Sequence, residues 1–530
     1  MVRRGVLLLV GLALGVTPAT PQHATTCLLT VIIENGDVYD GRGSDPIVTD
    51  VGILGDRIAA LGDLDACDAG RRLDARGLAV VPGFIDIHSH GTRGVFRYPL
   101  AENLTRQGVT TAIGGPDGSS PYPIGEYLAR LDATPPAVNF GLMVGHGTIR
   151  REVMGNENRP PTTAELDTMQ AMVGRAMADG AFGLSSGLKY VPGAYAETAE
   201  VVALARVAGY FGGIYISHMR EEGLQLLDAV RETIRIGEEG GLPTQITHHK
   251  VLGAPMWGRS TDSLALVDDA RARGVDVTMD QYPYTASSTG LTILFPTWSL
   301  EGSRDDLLAR LDDPVQRQRI KDGIIATLRD DRGGNDPNNV VLARCSWDST
   351  LDGMSLAEVL SVQDRQVSLA TAAELTMELQ AEGGCSGIFH AMREEDVRRI
   401  MRHPQTMVAS DGGILAPGEG VPHPRNYGTF SRVLGHYSRD LGVLSFAEAI
   451  RKMTSLPADR LDLADRGVIA AGAFADIAIL DRDAIDDPAV FENPHQYATG
   501  AVHVFVNGVA VILDGAVTGT RPGRALRHER

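Results

Sequence analysis

A chain of 530 residues can hold one large catalytic domain with a smaller companion, and 43% hydrophobic with 22% charged residues is ordinary globular composition. A mean hydropathy of −0.05 argues against a multi-pass membrane protein. The formal charge of −18 excludes the basic face that nucleic acid or an anionic membrane requires, so no nucleic-acid partner is expected.

The first residues read as a secretory signal. Arg3 and Arg4 precede an apolar run over residues 5–16, and Thr17-Pro18-Ala19-Thr20 follows with small and polar groups. A run of about twelve residues is too short for a stable membrane span. The expectation is a signal over residues 1–24 that is cleaved, with an uncleaved anchor as the alternative, no membrane span after cleavage, and a mature protein exported to the periplasm or the exterior. Export makes the four cysteines candidates for disulfides. Cys27 and Cys67 flank one small β-rich segment, and Cys345 and Cys385 lie in one later insertion, so Cys27–Cys67 and Cys345–Cys385 are the expected pairs.

Residues 25–80 alternate short β-rich runs with turn residues, among them Leu28–Glu34, the hairpin signal Asn35-Gly36, Val51–Leu54 and Arg57–Leu61. They read as the first part of a small β domain. Over residues 81–464 the pattern changes. Strand candidates Ala79–His88, Thr110–Ile113, Phe140–Val144, Gly183–Lys189, Gly213–His218, Thr244–Lys250 and Val275–Tyr282 alternate with amphipathic stretches such as Thr163–Ala178, Glu221–Glu238 and Ser263–Arg273. Repeated strand–helix units predict a parallel sheet, and seven or eight of them predict a closed (β/α)₈ TIM-type barrel. Residues 291–400 break the rhythm with charged helical segments and no clear strand, which predicts an insertion packed over the barrel mouth. Met407–Ser410 supplies the last strand. Residues 465–530 return to β character, so a small sandwich-like β domain built from both chain ends is expected.

In a parallel barrel, functional groups gather at the C-terminal ends of the strands. The first strand ends in His88 and His90, whose i, i+2 spacing points both imidazoles to one face. The fourth ends in Lys189 and Tyr190, the fifth in His218, the sixth in His248 and the last in Asp411. Each alone reads as a satisfied structural group; together they are a nitrogen and oxygen donor set suited to Zn²⁺ or a similar divalent ion. His146, His249 and His423 are unassigned.

With those residues in view, the chain resembles the amidohydrolase superfamily, and within it the D-aminoacylase branch. The matching stretches are PGFIDIHSH (82–90), GLSSGLKYVPGAYA (183–196), YISHMREEG (215–223), ITHHKVLG (246–253), DQYPYTASST (280–289), ASDGG (409–413), HPRNYGTF (423–430), GAFADIAILD (472–481) and TGTRPGRALR (518–527). The resemblance implies that His88 and His90 hold one metal, that His218 and His248 hold a second, and that Asp411 binds metal and takes the proton of the hydrolytic water. It implies hydrolysis of the linear amide of an N-acyl-amino acid, of D configuration. Alternatives on the same metals are a dipeptidase, a cyclic-amide hydrolase or a lactonase, and, more remotely, a non-catalytic binding protein that keeps the fold.

One stretch departs from the branch. Its second strand often carries a metal-ligating cysteine in a Gly-Asn-Cys-Gly-like turn, where this chain has Gly115-Pro116-Asp117-Gly118. Lys189 stands where other superfamily members place a carboxylated lysine between two metals. An unmodified lysine would repel two dications, whereas its carbamate is an anionic oxygen donor. A pair of zinc ions bridged by carboxylated Lys189 is therefore expected. Asp117 as the substitute ligand, or Lys189 as a substrate-binding cation beside a single metal, are the alternatives. Tyr190, Arg220, Lys250, Tyr282, Ser288 and Arg425 are expected to contact a substrate carrying a carboxylate. Whether the chain forms a homo-oligomer is left open by the sequence.

Overall fold

The computed structural model describes Met1 and residues 27–529, so the signal expected over residues 1–24 lies, beyond Met1, outside the described residues. Eight parallel strands form the barrel: β1 (Phe84–Asp86), β2 (Val109–Gly114), β3 (Asn139–Leu142, resuming after Met143 as Val144–Gly145), β4 (Gly183–Gly187), β5 (Ile214–His218), β6 (Thr244–Ile246), β7 (Val277–Gln281) and β8 (Thr406–Val408). Hydrogen bonds order them β1-β2-β3 and β3-β4-β5-β6-β7-β8, and a parallel bridge between Ser89 and Gly412 closes β1 onto β8. Every residue of these strands is buried, which is why they read as continuous apolar or small-residue runs rather than alternating ones.

The helices that cover the barrel are set by local chemistry. Thr163–Ala178 starts at a reciprocal capping box between Thr162 and Glu165. Leu226–Gly240 stops where Gly241 turns left-handed at φ 70°. Its buried stripe of Val230, Ile234 and Ile236 packs on the barrel side.

The predicted strand Ala79–His88 is in fact two. Ala79–Pro82 belongs to the small domain and β1 starts at Phe84; Gly83 is the crossing point, where a Cβ would lie 2.2 Å from Thr110 Cγ2. Ala79–Pro82 pairs antiparallel with Ile477–Leu480 from the far end of the chain, in a nine-stranded sheet drawn from both termini. Cys27 and Cys67 form a disulfide within this domain, as expected.

The insertion and the four residues before it build a feature missing from the sequence reading. Ser287–Gly290, Val340–Arg344 and Ser386–Phe389 form a three-stranded antiparallel sheet with its own core of Leu291, Ile324, Leu342 and Phe389. The second expected disulfide, Cys345–Cys385, joins two of those strands at their ends. Among the described residues, no helix is long and apolar enough to cross a membrane.

Candidate metal centre

The backbone past β1 is tied on both sides: Ser89 N donates to Ile113 O and His90 N donates to Gly412 O. This double anchoring aims both imidazoles over the barrel mouth. His88 Nε2 lies 3.5 Å from Asp117 Oδ1 and 3.4 Å from Asp411 Oδ1. His90 Nε2 lies 3.0 Å from Asp411 Oδ1 and 3.4 Å from Asp117 Oδ2. From the opposite side, His218 Nδ1 comes to 3.7 Å from Asp117 Oδ2 and His248 Nε2 to 3.5 Å from Asp117 Oδ1. The chain thus presents two convergent donor groups, His88/His90/Asp117/Asp411 and Asp117/His218/His248, with Asp117 common to both.

Around His88 the donors fit a metal better than they fit one another, whereas His218 Nδ1 and His248 Nε2 lie within hydrogen-bond distance at 2.7 Å. Both ring nitrogens of buried His88, together with Asp117 Oδ1 and His218 Nε2, have no hydrogen-bond partner. Two ligands bonded to a tetrahedral ion at about 2.1 Å stand about 3.4 Å apart. That is the separation seen between His88, Asp117 and Asp411, and it is too long for a good hydrogen bond.

Three of the donors hold a left-handed backbone that side chains rarely adopt: Asp117 at φ 54°, His248 at 34° and Asp411 at 48°. Each such residue costs on the order of 1–3 kcal/mol, and strain of this kind concentrates at functional sites. Asp117 is placed by its turn. Gly118 packs so closely on β4 that a Cβ there would lie 2.7 Å from Gly187 N.

Behind the donors stands a layer of carboxylates. His88 Nδ1 lies 3.6 Å from Asp280 Oδ1, an oxygen that also accepts from His248 N at 2.7 Å. His248 Nδ1 lies 3.1 Å from buried Glu222. Such outer partners orient ligating imidazoles. Burial pushes the Asp411 carboxyl up, but Arg425 and then His88 outweigh it and hold the group well below the usual carboxylate range. Asp117 is likewise held low, by His88 and His248 against its burial. Burial and the neighbouring His248 bring His218 down to about 4, so it is neutral at neutral pH, as a ligand must be.

Lys189 is not part of this centre. β4 ends at Gly187, before the lysine, and the Lys189 ammonium donates to Glu221 Oε2 at 2.6 Å and lies 3.6 Å from Asp331 Oδ2. It lines a neighbouring cavity of about 350 Å³. The unmodified Lys189 thus stands apart from both donor groups with two carboxylates beside it, and the residue common to the two groups is Asp117, the alternative that the sequence offered. Arg220 stands apart too. It grips Glu232 through two 2.8 Å bonds and donates to Ala194 O and Ala196 O, away from the mouth.

The remaining expected contacts do converge. Tyr190, Lys250, Tyr282, Ser288 and Arg425 line one cavity of about 760 Å³ with the donors His90, Asp117, His218, His248 and Asp411. Arg425 Nη1 donates to Asp411 Oδ2 at 2.6 Å. Of the unassigned histidines, His146 pairs with buried Glu200 at 2.8 Å and His249 with Ser263 at 2.9 Å, while His423 lines the cavity and bonds Ala286 O at 2.9 Å. Sequence reasoning missed Asp280, Glu222 and Arg332. Glu221 and Glu222 are adjacent and alike; no residue pattern tells which of them turns inward.

Comparison with known proteins agrees with this geometry. The profile of the amidohydrolase family matches residues 71–512. The D-aminoacylase of Alcaligenes xylosoxydans xylosoxydans is 37% identical over 519 residues, covering 94% of this chain and 97% of the relative. A solved D-aminoacylase, studied for the functional role of its binuclear metal centre, superposes with a TM-score of 0.81 at 36% identity over 94% of this chain and 100% of that one. The N-acyl-D-glutamate deacylase of Bordetella bronchiseptica, solved with zinc and a phosphonate mimic of the tetrahedral intermediate, superposes with a TM-score of 0.81 at 33% identity, over 94% of this chain and 99% of that chain.

Proposed function

The chain belongs to the amidohydrolase family, and on that footing we propose that it is a metal-dependent deacylase that hydrolyses the amide bond of N-acyl-D-amino acids. The observation that carries this reading is the pairing, in one cavity, of two donor groups joined by Asp117 with a wall of carboxylate-binding side chains. Zinc is the proposed metal, because imidazole and carboxylate donors with no thiolate suit it, and because the Bordetella relative was solved with zinc. A divalent ion held there supplies Lewis acidity to the scissile carbonyl and brings a water within reach of deprotonation at neutral pH.

The residues divide the remaining work. Lys250 and Arg425, with the hydroxyls of Tyr282 and Ser288, hold the substrate carboxylate, and Tyr190 forms the wall beside His218 at a ring distance of 4.6 Å. Asp411 accepts the proton of the attacking water and returns it to the leaving amine. A substrate carboxylate competes with Asp411 Oδ2 for Arg425, and its arrival leaves that oxygen as the proton acceptor. The proposal extends to export, which the two disulfides support.

The test is amine release from metal-replete protein offered N-acyl-D- and N-acyl-L-amino acids, dipeptides and lactones. Turnover of the D series, abolished by a chelator and by Asp411→Asn, is the expected result. Turnover of L substrates alone would remove the stereochemical part, and full activity of Asp411→Asn would overturn the mechanism.

A further inference from the structure

Glu222 lies four residues past His218 and is fully buried, yet it touches three different parts of the site. Its Oε1 accepts from Lys250 Nζ and lies 3.1 Å from His248 Nδ1, a nitrogen that Lys250 Nζ also meets at 2.6 Å, so the three groups form one contact set. Its Oε2 accepts from Arg332 Nη2 at 3.1 Å and lies 3.5 Å from His218 Nε2, a buried nitrogen that has no hydrogen-bond partner. Lys250 and Arg332 are nearly as buried as the carboxylate, with side chains 3% and 2% exposed. Arg332 comes from the insertion, and its other terminal nitrogen, Nη1, donates to Ser287 Oγ at 3.3 Å, next to Ser288. The backbone is fixed as well, since Leu252 N donates to Glu222 O at 2.9 Å.

Two buried cations so close together need an anion between them, and Glu222 is the carboxylate that touches both. The same oxygens face the outward nitrogens of both imidazoles in the second donor group, the arrangement by which outer carboxylates fix ligand orientation. We propose that Glu222 is a positioning residue that holds Lys250, the cation for the substrate carboxylate, and the ring pair His218/His248 as one unit, with Arg332 locking the insertion onto that unit. Substrate binding and the ring orientation at the second metal position then share Glu222 as a support, while Asp280 stands behind His88 and also takes the His248 backbone N–H.

Glu222→Gln keeps the shape and removes the charge. The expected result is a tenfold or greater loss of metal affinity at the His218/His248 position with the His88/His90 position within twofold. At saturating metal, KM is expected to rise at least tenfold with kcat within threefold. Glu222→Asp, which keeps the charge, is expected to recover at least threefold of each loss. Circular dichroism and the melting temperature report folding. Arg332→Gln spares the carboxylate and is expected to leave metal affinity at the second position within twofold. Wild-type metal affinity and KM in folded Glu222→Gln would overturn the proposal, as would equal defects in the Gln and Asp variants or a tenfold metal loss in Arg332→Gln. The KM arm rests on the deacylase reading, whereas the metal arm does not. Wild-type protein inactive on N-acyl-D-amino acids would therefore fail that reading and leave the metal arm to decide this one.

Discussion

Replacing Asp117 by Asn separates the two accounts of what joins the metal positions. The carboxylate faces four imidazole nitrogens at 3.4 to 3.7 Å and, among the described residues, is the one donor shared by both groups. Asn removes its charge while keeping its shape, and it tolerates the left-handed backbone at φ 54° as well as Asp does, so strain adds nothing. Removal of an outer partner of a ligand already weakens metal binding 10–100-fold. Loss of a shared direct ligand must exceed that, so at least about a hundredfold weakening, or about 2.7 kcal/mol, is expected at each position. Lys189→Ala should instead leave metal binding untouched and cost only part of an ion pair whose side chains are 17% and 21% exposed. The assay is metal content by mass spectrometry after dialysis against graded chelator, with kcat/KM on the same samples. Metal retained at wild-type affinity by Asp117→Asn, or lost by Lys189→Ala, would refute the reasoning and restore the lysine bridge.

Three further outcomes are expected. In the metal-free protein, Asp117 and Asp411 outweigh burial and lift His90 to about 9, with His88 raised as well, so loading displaces protons below that pH. Apparent metal affinity should then fall as pH falls, and calorimetry in buffers of different ionisation enthalpy should show net proton release; its absence at neutral pH would contradict the geometry. Arg220→Ala should leave kcat/KM within about twofold, because the guanidinium is engaged with Glu232 and the backbone, whereas Arg425→Ala should raise KM at least about tenfold through the loss of a charge-assisted pair with the substrate. Serine at both Cys345 and Cys385 should lower unfolding free energy by up to about 4 kcal/mol, the loop-closure value for a separation of 40 residues, read from urea melts. Unreduced, denatured wild-type protein should show no titratable thiol.

The donors that sit on or just past regular strands were legible in the sequence. His88 and His90 follow a buried strand, His218 ends one, and Asp411 lies three residues past another, so strand-end logic found them without coordinates. It failed where the chain turns. β4 stops two residues before Lys189, and past that point the period of two no longer says where a side chain points. Asp117 stands in a glycine turn whose left-handed φ redirects the side chain inward. Arg332 and the short strands Val340–Arg344 and Ser386–Phe389 were hidden because the insertion is built from segments too brief and too charged to show a period. Long-range partners such as Asp280 and Glu222 carry no local signal at all.

The pairing of Ala79–Pro82 with Ile477–Leu480 also bears on how the chain reaches this state. A ribosome delivers the first of these strands long before the second, and until then its edge is open to any other extended backbone. Contacts of such large sequence separation slow folding, since the intervening loop must close before they are rewarded. The strands of residues 28–74 pair among themselves, so it is the junction of the two halves that is expected to close late, after the barrel between them has brought them together. Deleting the C-terminal strands should leave a nascent-like species with an exposed edge, prone to self-association rather than to clean unfolding.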